Sequence, residues 1–249
     1  MGRVLDALKE IESRPKTPRT AATKHPTATD GTKPASRRMA AVEPAVPPPD
    51  DPRYREIVSA VLSRLTLHGG TVFLMAGFSD EEPRGGQWAA LYPSLARHVE
   101  GGLLVVEAAR RGQGLGERFD ARGGYGLANV LAGQVAWQNA VHGTTHQGLY
   151  LLPARGEASS SDGTTAGDWR VASTADWSPL AAQWRHAHRL VVVDAILSTP
   201  REMADWAAVC DAVVLFARLE VTPRREVRRA IRAIQNRGAQ ILGCVLLES

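Results

Sequence analysis

Two acids and one glycine-containing loop are the residues in this chain whose types and spacing could do chemistry. Glu107 follows the apolar run Leu103–Val106, and Asp194 follows Leu190–Val193. A carboxylate directly after a buried strand is well placed to hold a magnesium ion, commonly through water. The loop lies in the stretch TVFLMAGFSDEEPRGGQWAALYPSLA, Thr71 to Ala96. A strand-like run, Val72 to Ala76, leads through it into a helix-like segment, Gln87 to Val99. Backbone N–H groups in such a loop, with a helix N-terminus behind them, present positive partial charge to an anion. A phosphate loop also needs Lys and then Ser or Thr after its last glycine. Here that position reads Gly85-Gly86-Gln87-Trp88. The frame of a phosphate site is present, and the side chains that would do its chemistry are not.

The elements that must position these residues follow from hydrophobic patterning. Tyr54, Ile57, Val58, Val61, Leu62 and Leu65 make a helical stripe that Gly69-Gly70 ends. Strands are predicted at 72–76, 103–106, 149–152, 190–193, 212–217 and 241–247. Helices are predicted at 127–131, 180–185, 202–208 and 223–237, the last with Thr222 as its N-cap and Gly238 as its stop. The strands are continuous apolar runs with helices between them. That is the signature of a mostly parallel sheet covered on both faces. The fold class is therefore α/β, a doubly wound domain over 53–249. Ligands in such sheets bind at the carboxyl ends of the strands, which directs attention to the loops after Ala76, Val106 and Val193.

The N-terminal part differs in character. Residues 1–14 fit a short amphipathic helix with Val4, Leu5, Leu8 and Ile11 on one side. Residues 15–52 hold nine of the fifteen prolines and read as a disordered tether, since such a segment buries too little apolar surface to offset its ordering entropy. The 249 residues carry a net charge of +4, of which +3 lies in the first fifty. A nearly neutral remainder argues against a domain built to grip nucleic acid. No apolar run approaches the roughly 18 residues of a membrane span. Cys210 and Cys244 form no CxxC pair and read as free thiols of a reducing, cytoplasmic compartment.

Several segments in order resemble the bacterial tyrosine kinases, the capsular-exopolysaccharide autokinases related to the MinD and ParA P-loop ATPases. Ser79 to Gly86 stands where that family has its Walker A loop. Leu103 to Arg111 resembles the second acidic motif with its Arg. Gly126–Gly133, GLANVLAG, is close to a family segment of the form GLSDVLAG. Leu151 to Gly156 resembles its LPAG strand exit, Val191–Asp194 fits Walker B, and 210–215 and 238–246 match the last two strands. The resemblance covers about residues 53–247. It implies a P-loop fold, ATP and Mg2+ as ligands, a homo-oligomer, and a membrane-embedded polysaccharide chain-length or export partner. It also implies a cytoplasmic protein peripheral to the inner face of the membrane.

The departures fall where the chemistry would be. Gln87 stands at the Lys position and Trp88 at the Ser or Thr position. Gln is neutral and cannot offset developing phosphate charge, and Trp has no oxygen for magnesium. Arg84 replaces a loop glycine beside Pro83. Of two family aspartates in the second motif, one aligns with Glu107 and the other with Ala109. The remnant site is thus Pro83, Arg84, Gly85, Gly86, Gln87 and Trp88 for phosphate, with Glu107, Arg111 and Asp194 for catalysis and Asp194 for metal. The tyrosine cluster that ends family members is absent from GCVLLES. Near the first helix Arg55 fits the oligomerisation pattern, whereas Pro52 and Val58 do not. The leading reading is a degenerate autokinase-like adaptor or regulator in exopolysaccharide assembly. The alternatives are a divergent kinase or ATPase in which Arg84, Arg110 or Arg111 replaces the Lys, and a ParA-like protein that binds DNA or an anionic membrane through a stripe of arginines.

That stripe is Arg224, Arg225, Arg228, Arg229 and Arg232, at helical spacing. It reads either as a solvated helix face or as a patch for an acidic partner. His142 and His146 are four apart, but Gly143, Thr144 and Thr145 between them favour loop histidines over zinc ligands. His186 and His188 read as surface residues. Trp169, Trp177, Trp184 and Trp206 cover either the sheet or an interface.

Overall fold

The structure is a computed structural model that describes residues 52–65, 70–78, 89–108, 114–121, 124–154, 177–196 and 199–247. The expected N-terminal helix, the tether up to residue 51, the loop at 79–88, Arg110 and Arg111, and the polar loop at 156–176 lie outside the described residues.

Seven strands form one sheet in the order β3-β4-β2-β5-β1-β6-β7. They are β1 (Thr71–Gly77), β2 (Leu103–Glu107), β3 (His142–Gly143), β4 (Leu149–Leu152), β5 (Leu190–Ile196), β6 (Ala212–Arg218) and β7 (Gln240–Leu247). All neighbours are parallel except β3 with β4. The helices are α1 (Pro52–Leu62), α2 (Leu91–Ala96), α3 (Leu115–Arg118), α4 (Leu127–Leu131), α5 (Ser178–Ala187), α6 (Pro200–Ala207) and α7 (Arg224–Gln235). Strand side chains alternate between two cores, as the period of two demands. Phe73 and Met75 of β1 join α1, α2 and α3 on one face. Val72, Leu74 and Ala76 join α4, α5, α6 and α7 on the other. The continuous apolar runs are thus explained by a sheet buried on both sides.

Four expectations need correction. The helix predicted over 87–99 is, within the described residues, only Leu91–Ala96. Pro93 has no N–H to give a preceding turn and is tolerated only in the first one, so the helix starts just before it. Asp194 does not end its strand: β5 continues to Ile196, with Asp194 in register with Met75 of β1 and Glu107 of β2. Thr222 is not the cap of α7. Pro223 holds that position with no side-chain cap bond, and Thr222 Oγ1 instead accepts from Arg218 N at 2.9 Å, closing the turn after β6. His142 belongs to the short antiparallel strand β3, not to a loop. Gly238 does end the run after α7, with φ +82°, a conformation that favours glycine.

Candidate functional site

The carboxyl ends of β1, β2 and β5 bring together three polar side chains. Asp194 and Glu107 are partners across adjacent parallel strands, about 4.8 Å apart by strand spacing. Their neighbours Val192 and Val105 lie in the core with α2, so alternation turns both carboxylates toward that helix. Tyr92, on α2, meets them there. Its hydroxyl donates to Asp194 Oδ2 at 2.5 Å. Asp194 and Tyr92 are both completely buried, and Glu107 is only 3% exposed.

Each buried acid has donors supplied by the fold. Glu107 Oε1 accepts from Leu115 N at 3.3 Å and Oε2 from Ala154 N at 3.0 Å. It therefore joins the start of α3 to the exit of β4 across the end of β2. The sequence alternatives for this residue, a metal-facing acid or a solvated strand-end charge, both differ from what it does. The Asp194 side chain takes the phenol, and its main-chain oxygen accepts from Ala108 N at 2.7 Å. The Tyr92 phenol is pushed well above its ordinary pKa by burial first, then by the Asp194 charge and hydrogen bond, then by Glu107. It remains a neutral donor. The Phe119 ring lies 6.3 Å from the Tyr92 ring and closes the cluster on that side.

A divalent ion fits these groups poorly. Magnesium needs oxygens turned toward a hydrated site, whereas here both Glu107 oxygens and Asp194 Oδ2 are turned toward protein donors in a buried cluster. Among the described residues no group of three His, Cys, Asp or Glu side chains could hold a metal. The six remnant phosphate-loop residues, Pro83 to Trp88, and Arg111 lie outside the described residues, so the structure unites only Asp194 and Glu107 of the predicted set.

Tyr92 was missed by sequence reasoning. The available signal was a phenol in an otherwise apolar segment, one helical turn beyond Trp88. A buried tyrosine hydroxyl needs a partner, and Glu107 and Asp194 are the acids that the predicted strand ends supply.

The other residues singled out earlier lie elsewhere. His142 Nε2 contacts Tyr125 O at 3.0 Å, and the His146 ring packs edge-on against Phe119. His186 is exposed. His188, expected at the surface, is half-buried against Trp137 and Tyr150, and burial lowers its pKa. Trp177 and Trp206 stack at 3.9 Å, and with Trp184 they cover the sheet face opposite Tyr92. No described helix is long and apolar enough to cross a membrane.

The structure is similar to several solved structures. The chimerical protein CapA2B2 superposes with a TM-score of 0.64 at 17% identity, covering 80% of this chain and 85% of that one. The kinase domain of the Escherichia coli tyrosine kinase ETK gives 0.62 at 16%, covering 78% and 74%. The septum site-determining protein MinD from Pyrococcus horikoshii, complexed with Mg-ADP, gives 0.54 at 16%, covering 71% and 70%. At these identities the likeness shows a shared fold, that of bacterial tyrosine kinase domains and MinD-type ATPases. No protein-family model matches the chain, and no curated protein matches it.

Proposed function

We propose that this protein is a catalytically degenerate relative of the bacterial tyrosine autokinases, acting as an adaptor or regulator in exopolysaccharide and capsule assembly and export. The observation that carries the reading is the hydrogen bond from the Tyr92 hydroxyl to Asp194. An ATPase of this fold needs its strand-end acid facing a hydrated magnesium ion. Here that acid is engaged by a phenol inside the core. Gln87 and Trp88, in place of Lys and Ser or Thr, support the same conclusion from the loop side. The sequence resemblance implies a membrane-embedded chain-length or export protein as the partner, with this chain working at the inner face of the membrane.

MinD was solved with Mg-ADP, which makes the nucleotide the ligand to test. Mg-ATP and Mg-ADP are titrated calorimetrically into the full chain, and phosphate release is followed in parallel. The expected result is no turnover and no binding heat that depends on magnesium. Magnesium-dependent micromolar binding with steady phosphate release removes the proposal in favour of a divergent ATPase or kinase.

A further inference from the structure

The outer face of α7 is strongly basic. Arg224, Arg225, Arg228, Arg229 and Arg232 are all exposed, while Val227, Ala230 and Ile234 on the opposite side are buried. Burial of that side fixes the helix, so the arginines are held outward on an element about 18 Å long. Five of their spacings are unfavourable to the helix itself. Arg224 with Arg228, Arg225 with Arg229 and Arg228 with Arg232 are like charges at i,i+4, and Arg225 with Arg228 and Arg229 with Arg232 at i,i+3. Arg224 and Arg225 also sit in the first turn, where the helix dipole already presents positive charge. A face that only needed to be wet would have no reason to concentrate these penalties.

The net positive charge of the chain falls in two segments of the sequence. Residues 218–237 hold seven Arg and two Glu, a net +5, and residues 1–50 carry +3; with a total of +4, the remaining residues carry −4. At the far end Arg237 pairs with Asp205 of α6 at 3.0 Å and joins the two helices. At the near end, in the turn between β6 and α7, Val221 is 42% exposed, one of the few large apolar side chains at the described surface.

We propose that this face docks the protein on a bilayer of anionic phospholipid. A flat lipid surface meets one face of a protein and need not touch the residues outside 1–50 and 218–237, which together carry −4. A nucleic-acid duplex longer than the helix would run past the arginines and meet residues whose summed charge is negative. Val221 also suits the boundary between headgroup and acyl chain and has no counterpart on a phosphodiester backbone. Clusters of four to eight basic residues on a helix are enough for recognition of anionic lipid. This docking stands whether or not the chain binds nucleotide, so its test and the nucleotide titration fail separately.

The test is vesicle flotation with the full chain, using phosphatidylglycerol mixed with phosphatidylcholine against phosphatidylcholine alone. The expected result is binding to the anionic vesicles only, weakened by added salt. Arg225→Gln with Arg229→Gln lowers the partition constant by about five-fold per arginine. Arg225→Lys with Arg229→Lys keeps it, because a lipid surface reads charge and not guanidinium shape. Circular dichroism of each variant establishes that α7 is still folded. The basic N-terminal fifty residues are the same in every variant, so any difference belongs to α7. Equal binding by wild type and the Gln variant overturns the proposal, as does failure of the wild type to float. Tighter binding to a DNA duplex than to anionic vesicles at the same salt also overturns it, in favour of a nucleic-acid surface.

Discussion

Tyr92 engages one of the two buried acids at the end of the sheet. A phenol in an apolar core has to find an acceptor, and Asp194 supplies it at 2.5 Å in a site with no solvent exposure. Removing the hydroxyl takes a donor from a buried carboxylate, a loss of about 1.5–3 kcal/mol for a hydrogen bond to a charged group. Tyr92→Phe is therefore expected to lower unfolding stability by that amount in urea, at an unchanged m-value. The same contact gives an alkaline signature. The folded-state pKa of Tyr92 is raised above the ordinary 10.0, so the folded chain keeps a proton that the unfolded chain releases. The stabilisation is complete below pH 10 and is lost as pH rises through the folded value. The thiols behave alike from about pH 9, burial raising Cys244 from 9.0 to about 11 and Cys210 further still. Between pH 10 and 11, Tyr92→Phe should show a decline in stability shallower than wild type by up to about 1.4 kcal/mol per pH unit. An identical slope in the two proteins would mean that the phenol titrates freely in the folded state.

At the scale of elements, the sheet's amino-terminal edge is tied together by one ion pair. Arg185, in α5, reaches Val209 O at 2.7 Å and Asp211 Oδ1 at 3.1 Å, and Asp211 Oδ2 accepts from Val72 N at 2.8 Å. Gly70 runs so close beneath α5 that an added Cβ would lie 1.8 Å from the Arg185 carbonyl oxygen. Gly70→Ala is therefore expected to cost about 1–3 kcal/mol through overpacking, measured as a lower denaturant midpoint. A midpoint equal to wild type would show that the entry to β1 gives way easily. Gly70 had been read only as the stop for the helix before it; its closeness to α5 is a tertiary fact that no local pattern carries. The same limit separates the legible parts of the chain from the others. The strands around β1, β5 and β6 were readable because burial on both faces makes each a continuous apolar run. The two-residue β3 and the single-turn α3 are too short to have a period. The start of α2 depended on whether Pro93 would act as a first-turn residue or a breaker. At the site, an acid at the end of each of two buried runs was visible as Glu107 and Asp194. That backbone N–H groups and a tyrosine would satisfy them was not, because those partners come from α2, α3 and the exit of β4, which only the assembled sheet brings near.

At the scale of the whole molecule, one sheet separates two cores, and whether they melt together is a question about β1. This strand lies between β5 and β6 and is buried along its full length. It sends Phe73 and Met75 to one core and Val72, Leu74 and Ala76 to the other. A change on one face should therefore loosen both, because the strand cannot leave one core and keep the other. The tryptophans make this measurable. Trp137, Trp177, Trp184 and Trp206 all belong to the core away from Phe73. In a background with Trp88→Phe and Trp169→Phe, fluorescence reports that core alone, while far-UV circular dichroism reports the whole sheet. Phe73→Ala removes a large side chain that is 1% exposed, a loss of about 3–5 kcal/mol. The fluorescence and circular dichroism transitions are expected to move together to a lower urea midpoint, as a two-state domain requires. If Phe73→Ala moves the circular dichroism transition while the tryptophan transition stays in place, the cores unfold independently. The Tyr92 cluster would then be able to open without disturbing the helices that carry the arginine face.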